Sequence, residues 1–206
     1  MKKIMGIIVF LCLIIPIIPV SSTIFPNLIE DPQITDASGD AFGYIDIDSI
    51  WFFEKEDTPE FLYVSMKING PSEFTFQQTF AVFWKCKDIQ YSCGLLMGFS
   101  LAAWKQFNVI IYDDKRYDEI IDVNGTYDFE TGVITWMIPK EIIGNPQAGD
   151  VLTDTWSNAF RRLGLIGRMG LTRTVLDMII LLVFGNNMWD YAPDRGGYGL
   201  DYVIEY

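Results

Sequence analysis

The chain contains no histidine, and this absence removes several kinds of active site at once. A Ser-His-Asp triad, a Cys-His pair, a His-ligated zinc site and a His-ligated haem all require an imidazole ring. Basic residues are also scarce, with 15 Lys and Arg against 27 Asp and Glu and a net charge of -12. Because binding to a phosphate backbone requires a basic face, this charge argues against a nucleic-acid partner. The chain also lacks a nucleophile elbow, a phosphate loop and a zinc-binding helix motif, which predicts a protein that is not an enzyme.

The N-terminus has the order of segments that is typical of a secretory signal. Two lysines precede an apolar run over residues 4–20, and small residues follow that run. Two prolines within the run argue against a regular membrane-spanning helix. Residues 1–22 therefore predict export, either as a cleaved signal peptide or as a retained anchor that associates with the membrane at the cell surface. The remaining chain, 23–206, is predicted to form a single domain and to be secreted or extracellular.

Cysteine is rare, and two of the three cysteines lie outside the apolar N-terminal run. An exported chain meets oxidising conditions, so Cys86 and Cys93 are predicted to form a disulfide at the base of a hairpin whose turn is 87–92. A metal-binding or redox pair is the alternative for these two thiols. Asn124 begins an Asn-Gly-Thr glycosylation sequon, which supports a surface position in an exported protein.

Alternation of apolar and polar residues dominates the chain after residue 40. In 61–68, Leu62, Val64, Met66 and Ile68 fall on one face of a predicted strand. Many short strands of this kind, separated by turn residues such as those in Glu130–Gly132, predict an all-β antiparallel β-sandwich. Further strands are predicted over 43–54, 74–86, 93–103, 106–113, 117–123, 126–130, 133–138, 150–157 and 199–205. The loop 139–149 is predicted to contain one helical turn at Lys140–Ile143.

Residues 171–184 depart from this alternation, because they are strongly apolar and several of them recur at helical spacing. The stretch is too short to span a bilayer. One interpretation is a short helical or apolar insertion that packs on the sandwich. The other is an exposed apolar element that contacts a partner or a membrane surface.

An acidic segment precedes the first long strand. Asp36 and Asp40 flank Gly39, which allows a sharp turn, and Asp46 and Asp48 alternate onto one face of the following strand. Hard cations such as calcium bind several oxygens from carboxylates and loop carbonyls, and this segment supplies both. The spacing is not that of an EF-hand loop. The alternative is that these acids cap turns and face solvent.

A second acidic segment, rich in glycine, lies near the end of the chain between Asp190 and Tyr202. Asp201 would approach the first acidic segment if the first and last strands were paired. Arg195 offers a simpler alternative, in which its guanidinium neutralises Asp194 or Asp190.

Tryptophan side chains are the candidates for recognition of a sugar, because a sugar ring offers apolar C–H faces as well as hydroxyl groups. Trp84 and Trp136 lie in patterned strands and are predicted to be core residues. Trp104 and Trp189 lie beside polar or loop residues and are the predicted ligand-binding side chains.

The chain carries several short motifs in the order Asp36-x-x-Gly39-Asp40, Asp46-Ile47, Leu62-Tyr63-Val64, Thr135-Trp136-Met137-Ile138-Pro139-Lys140, Ile143-Gly144, Gly149-Asp150 and Gly199-x-Asp201-Tyr202. This order resembles the DOMON-like superfamily, which includes family 9 carbohydrate-binding modules. The resemblance covers residues 31–206 and implies a jelly-roll-like β-sandwich with extracellular ligand binding, often stabilised by calcium. It would place Asp36, Asp40, Asp46 and Asp201 near a metal.

These observations predict a non-catalytic extracellular ligand-binding module that binds carbohydrate and carries a structural calcium ion. The alternative is a structural or adhesion module of the cell envelope that has no small-molecule ligand. The two differ in whether exposed aromatic side chains form a groove, since the adhesion module would bury them all.

Overall fold

The computed structural model describes residues 32–41, 44–70, 77–98, 104–113, 116–162 and 189–206. Strands dominate these ranges, as the alternating sequence pattern predicts. In chain order they are β1 (Ile34–Thr35), β2 (Ile47–Phe53), β3 (Phe61–Ile68), β4 (Gln77–Cys86), β5 (Ile89–Gly98), β6 (Trp104–Asp113), β7 (Arg116–Asp122), β8 (Asn124–Asp128), β9 (Val133–Pro139), β10 (Val151–Arg162), β11 (Trp189–Ala192) and β12 (Tyr202–Val203). Within the same described ranges, two short 3-10 helices cover Lys140–Ile143 and Asp194–Gly196.

The strands form two antiparallel sheets that pack against each other. The first sheet has the order β1-β2-β3-β9-β8. The second has the order β11-β10-β4-β5-β6-β7. The two-residue strand β12 also pairs with β10, at Val151 and Leu152. The predicted all-β sandwich is therefore confirmed. The apolar stretch 171–184 and the N-terminal segment 1–22 lie outside the described residues.

The core lies between the inner faces of the two sheets. Trp136 from the first sheet and Phe80 and Trp84 from the second have no exposed surface. Edge-to-face aromatic contacts join the sheets: the ring of Phe52 lies 5.7 Å from that of Trp84, and the ring of Phe107 lies 6.3 Å from that of Trp136. Each such pair contributes about 0.5–1.5 kcal/mol beyond the burial of its apolar area. The aromatic residues that favour strand structure thus also hold the two layers together.

The hairpin between β4 and β5 turns earlier than the sequence predicts. Lys87 and Asp88 form a two-residue turn in which both have positive φ, 51° and 69°, as in a type I′ hairpin. Cys93 consequently pairs with Val82, whereas Cys86 pairs with Ile89. The two cysteines are therefore separated by four residue positions along the ladder.

The predicted disulfide between Cys86 and Cys93 is wrong. Four strand positions correspond to about 13 Å, whereas a disulfide joins Cα atoms that are at most about 7 Å apart. Both thiols are free and buried, and burial raises the pKa of each thiol. The error has one physical cause: a tight turn at residues 87 and 88 leaves residues 89–92 inside the strand instead of in a loop.

Two other local predictions are confirmed. Gly132 has a φ of 75° in the β8–β9 turn, and its N–H donates to the main-chain oxygen of Asp128. The predicted helical turn over Lys140–Ile143 is the first 3-10 helix.

A buried ion pair connects the end of β2 to the last residues of the chain. The ammonium group of Lys140 pairs with the carboxylate of Glu54, and the two side chains are 4% and 0% exposed. Lys140 also donates to the main-chain oxygen of Tyr206, while Glu54 accepts from the N–H of Glu205 at 2.6 Å. Burial and the charge of Glu54 raise the pKa of Tyr202, so its hydroxyl stays protonated and donates to Glu54.

Candidate functional site

Three carboxylates from distant parts of the sequence meet at one place in the fold. Asp36 directly follows β1, Asp40 lies in the loop before β2, and Asp190 lies in β11 of the other sheet. One carboxylate oxygen from each lies within 4.8 Å of those of the other two. We call these three residues the carboxylate cluster. Asp36 and Asp40, two of the predicted metal ligands, lie together in this cluster, and their binding of a metal stays a prediction.

Backbone hydrogen bonds fix the loop that carries Asp36 and Asp40. The N–H of Asp36 donates to the main-chain oxygen of Asp48 at 3.0 Å. Gly39 has a φ of 91°, a conformation that side chains disfavour, and its N–H donates to Asp46 Oδ2 at 2.9 Å. The loop is therefore folded back toward the start of β2, as the sequence analysis expected of this glycine.

Asp190 brings the second sheet to this loop. Its Oδ2 accepts a hydrogen bond from the N–H of Ile47 at 2.6 Å, and the residue is 3% exposed. In β11 the exposed residues Trp189 and Tyr191 alternate with Asp190 and the buried Ala192, so the carboxylate points inward. The approach that the sequence analysis expected of Asp201 is made instead by Asp190, which lies eleven positions earlier.

Asp46 lies next to the carboxylate cluster and is almost completely buried, with 3% exposure. Its Oδ2 accepts hydrogen bonds from Gly39 and from Asn69 Nδ2, the latter at 3.1 Å. Within the described residues, its Oδ1 and both carboxylate oxygens of Asp36 are buried without a hydrogen-bond partner. Since buried polar atoms are normally paired, these three oxygens have hydrogen-bonding or ligating capacity that water, a proton or a cation could satisfy.

The electrostatics of the cluster are unfavourable for three bare carboxylates. Burial, and then the charges of Asp190, Asp194 and Asp40, raise the pKa of Asp36 to about 7. Burial also raises the pKa of Asp190 to about 6, against the hydrogen bond from Ile47. The pKa of Asp40 is raised by burial and by its hydrogen bond with Asp194. A proton or a cation bound at these carboxylates would relieve this unfavourable burial and repulsion.

A calcium ion fits these residues. Calcium binds six to eight oxygens at distances of about 2.3–2.6 Å, and it accepts a flexible geometry. Asp36, Asp40, Asp190 and the free oxygen of Asp46 would supply carboxylate ligands. The alternative, that these acids cap turns and face solvent, holds in part. Asp40 is exposed and Asp46 accepts a hydrogen bond from the turn residue Gly39, but Asp46 is buried.

The structure does not bring the other two predicted metal ligands into the cluster. Asp48 lies at an irregularity of the β2–β3 pairing, between Ile47 and Ser49, so it does not continue the alternation from Asp46. It pairs with Lys67 at 3.5 Å and accepts a hydrogen bond from Ser49 Oγ at 2.7 Å. Asp201 is exposed just before β12. The side chain of Arg195, the alternative partner of these acids, lies outside the described residues.

The two predicted ligand-binding tryptophans have different outcomes. Trp189 is 46% exposed, and its ring stacks on that of Phe160 at 4.8 Å. Trp104 begins β6 opposite Gly98, and its side chain lies outside the described residues. Trp84 and Trp136 are core residues, as predicted. Asn124, the predicted glycosylation site, is exposed at the start of β8, and its glycosylation stays a prediction.

In the described part of the chain, no helix has the length and the apolar character needed to cross a membrane. Comparison of the sequence and the fold with known proteins finds no matching family model, no similar curated protein and no similar solved structure.

Proposed function

We propose that this protein is a non-catalytic extracellular ligand-binding module in which a calcium ion joins the two sheets at one end of the sandwich. The observation that carries the proposal is the carboxylate cluster with its buried, unpartnered oxygens on Asp36 and Asp46. A cation there would neutralise groups whose pKa is raised by burial and by each other. It would hold the loop before β2 against β11, so its role is structural.

The ligand class is proposed to be carbohydrate. Trp189 and Tyr191 are 46% and 49% exposed on the same face of β11. Their ring planes differ by only 7°, so two partly exposed rings lie nearly parallel at this edge of the sheet. The resemblance to the DOMON-like superfamily agrees with a sugar ligand and with calcium. Export through residues 1–22, with the segment either cleaved or kept as a membrane anchor, completes the proposal of a secreted or surface-held protein.

A structural or adhesion module of the cell envelope is the second candidate. Leu200 favours it, because this apolar side chain is 66% exposed and lines a cleft together with Pro32 and Pro193. Exposed apolar side chains at one place are typical of contacts with another macromolecule. In that case calcium would still stabilise the fold, but no sugar would bind.

The test is thermal unfolding of the full-length chain in calcium and in a chelator at pH 8. A ligand that binds only the folded state at 100 times its Kd adds about 2.7 kcal/mol, or about 5–10 °C for a domain of this size. Asp190→Asn is expected to abolish the shift. Asp48→Asn is the matched control, because it removes an equal charge outside the carboxylate cluster and should retain the shift. An unshifted wild type, or an Asp190→Asn variant that shifts as the wild type does, would refute the calcium site.

A further inference from the structure

The outer face of the second sheet, which points away from the core, has an ordered arrangement of side chains. In β10 the residues Trp156, Asn158 and Phe160 alternate with Ser157 and Ala159, which are fully buried. The first three therefore lie on the outer face. Strand pairing extends each of their positions into a row that crosses the sheet.

Two of these rows begin with stacked aromatic pairs. Trp156 pairs with Phe83 of β4, and their rings stack 3.9 Å apart with 4° between their planes. Phe160 pairs with Trp189 of β11, and their rings stack 4.8 Å apart with 24° between their planes. Trp156 and Phe160 are four residues apart on β10, so about 13 Å of strand separates the two aromatic pairs.

A row of small and polar residues lies between the two aromatic pairs. Its centre is Ala81 and Gly94, and a Cβ added to Gly94 would lie 2.9 Å from Asn108 Oδ1. The amide of Asn108 therefore lies close over the small centre. From β11 to β7 the row is Tyr191, Asn158, Ala81, Gly94, Asn108 and Asp122. We call this row, with the two aromatic pairs beside it, the outer groove.

We propose that the outer groove binds an uncharged oligosaccharide whose chain lies across the strands. This inference rests on the binding function proposed above and assigns its location. The aromatic pairs offer apolar surface to the C–H faces of pyranose rings. The amides of Asn158 and Asn108 and the carboxylate of Asp122 offer donors and acceptors to the hydroxyls. An apolar surface with a few placed polar groups is the usual chemistry of a small-ligand site.

Charge restricts the oligosaccharide to one without acidic groups. The chain carries a net charge of -12, and the groove ends at Asp122. At its edge, the ammonium of Lys85 is paired with Asp154 at 2.6 Å. A sulfated or uronic-acid glycan would meet negative potential there, whereas a neutral hexose or N-acetylhexosamine chain would not.

The test is titration calorimetry of the full-length chain with a panel of neutral hexasaccharides, comprising β-1,4-glucan, β-1,3-glucan, β-1,4-mannan and chitin oligomers. The wild type is expected to bind at least one of them, with an affinity that 0.5 M NaCl does not change. Trp189→Ala should weaken that affinity about tenfold, and Trp189→Phe should weaken it less, because a smaller ring still stacks. Asn158→Ala is expected to weaken it about fivefold.

Tyr198→Ala is the matched control, because it removes an aromatic ring that is 62% exposed outside the outer groove. It should bind the sugar as the wild type does. Each variant's calcium-induced thermal shift is measured in parallel. A variant that loses sugar binding but keeps the calcium shift is defective in the outer groove. A variant that keeps sugar binding but loses the calcium shift is defective in the carboxylate cluster. Absence of wild-type binding to every oligosaccharide would overturn the inference, as would wild-type affinity in the Trp189→Ala, Tyr191→Ala double variant.

Discussion

At the scale of single residues, Asp36 is the member of the carboxylate cluster whose ionised form is expected to destabilise the metal-free protein most. Burial and then the charges of Asp190, Asp194 and Asp40 raise its pKa, and the N–H of Ala37 opposes them. An amide in its place would remove a repelled charge and keep an oxygen that can face the N–H of Ala37. Asp36 is therefore expected to be unfavourable for the stability of the metal-free protein and favourable for metal binding.

The variant Asp36→Asn should stabilise the protein in a chelator at pH 8. We expect a gain of about 1–2 kcal/mol, which is well below the full pKa shift because Asp36 is only partly buried and solvent screens its charge. Addition of calcium should raise the free energy of unfolding of this variant less than that of the wild type. Urea unfolding with and without calcium measures both effects. A variant that is less stable than the wild type in the chelator would contradict this view of Asp36.

The pH dependence of stability follows from the same carboxyls. In the unfolded chain they titrate near pH 4, whereas the pKa of Asp36 is about 7 and that of Asp190 is about 6. The folded state therefore binds more protons than the unfolded state between these values, so stability falls as the pH rises through this window. Asp128 and Asp150 do not interfere, because hydrogen bonds lower their pKa.

Urea unfolding in a chelator should thus give a larger free energy of unfolding at pH 5 than at pH 8. Calcium should reverse this order, because it competes with protons for the same oxygens. Equal stability at both pH values in the chelator would show that the carboxylate cluster is not under electrostatic strain.

Part of the cluster could be predicted from the sequence. Asp36 and Asp40 flank a glycine, and this local pattern requires only a turn. Asp190 could not be assigned, because its approach depends on the pairing of β11 with β10 and on the packing of the two sheets. The prediction that Asp48 shares a strand face with Asp46 was wrong for a local reason, since the irregular pairing at this position changes which face Asp48 occupies.

At the scale of elements, the β4–β5 hairpin shows what alternation alone leaves undetermined. Alternation assigns the faces of both strands but not the residue at which the chain reverses. The turn at Lys87 and Asp88 lacks the glycine that usually marks a type I′ turn. The register, and with it the distance between Cys86 and Cys93, was therefore not readable from the sequence.

The variant Asp88→Gly should stabilise this hairpin, since glycine adopts a φ near 69° without a steric penalty. We expect a gain of about 0.5–1 kcal/mol in the free energy of unfolding. Asp88→Ala is the control, because it removes the same carboxylate and retains a Cβ, so it should give no gain. Urea unfolding of both variants is the measurement. Equal stability of the two variants would argue against a positive φ at this position.

At the scale of the whole molecule, the pair of Glu54 and Lys140 holds the last residues of the chain against the first sheet. Both side chains are almost completely buried, and each also binds main-chain atoms of residues 205 or 206. Removal of one charge leaves the other buried and unpaired, which costs about 3–5 kcal/mol.

The variant Lys140→Met should therefore be strongly destabilised, by about 3–5 kcal/mol in urea unfolding. The double variant Glu54→Gln, Lys140→Met should regain most of this loss, since it leaves no charge without a partner. A double variant as unstable as Lys140→Met would mean that lost packing, and not the unpaired carboxylate, is the cause.

The sandwich itself could be predicted because it depends on a repeated local signal. Long strands such as β3 and β9 bury at least one face, and this requires two layers. The order of the strands could not be predicted, because pairs such as β3 with β9 join residues about seventy positions apart. The outer groove is a product of that order, since β11, β10 and β4 become neighbours only in the folded sheet.

The most direct test of the central claim is titration calorimetry of the full-length chain with calcium at pH 8. The account predicts saturable binding of a single calcium ion by the wild type and by Asp48→Asn, and no binding by Asp190→Asn. Absence of saturable binding by the wild type at millimolar calcium would contradict it. The raised pKa values of Asp36 and Asp190 would then mean that protons, and not a metal, neutralise this end of the sandwich.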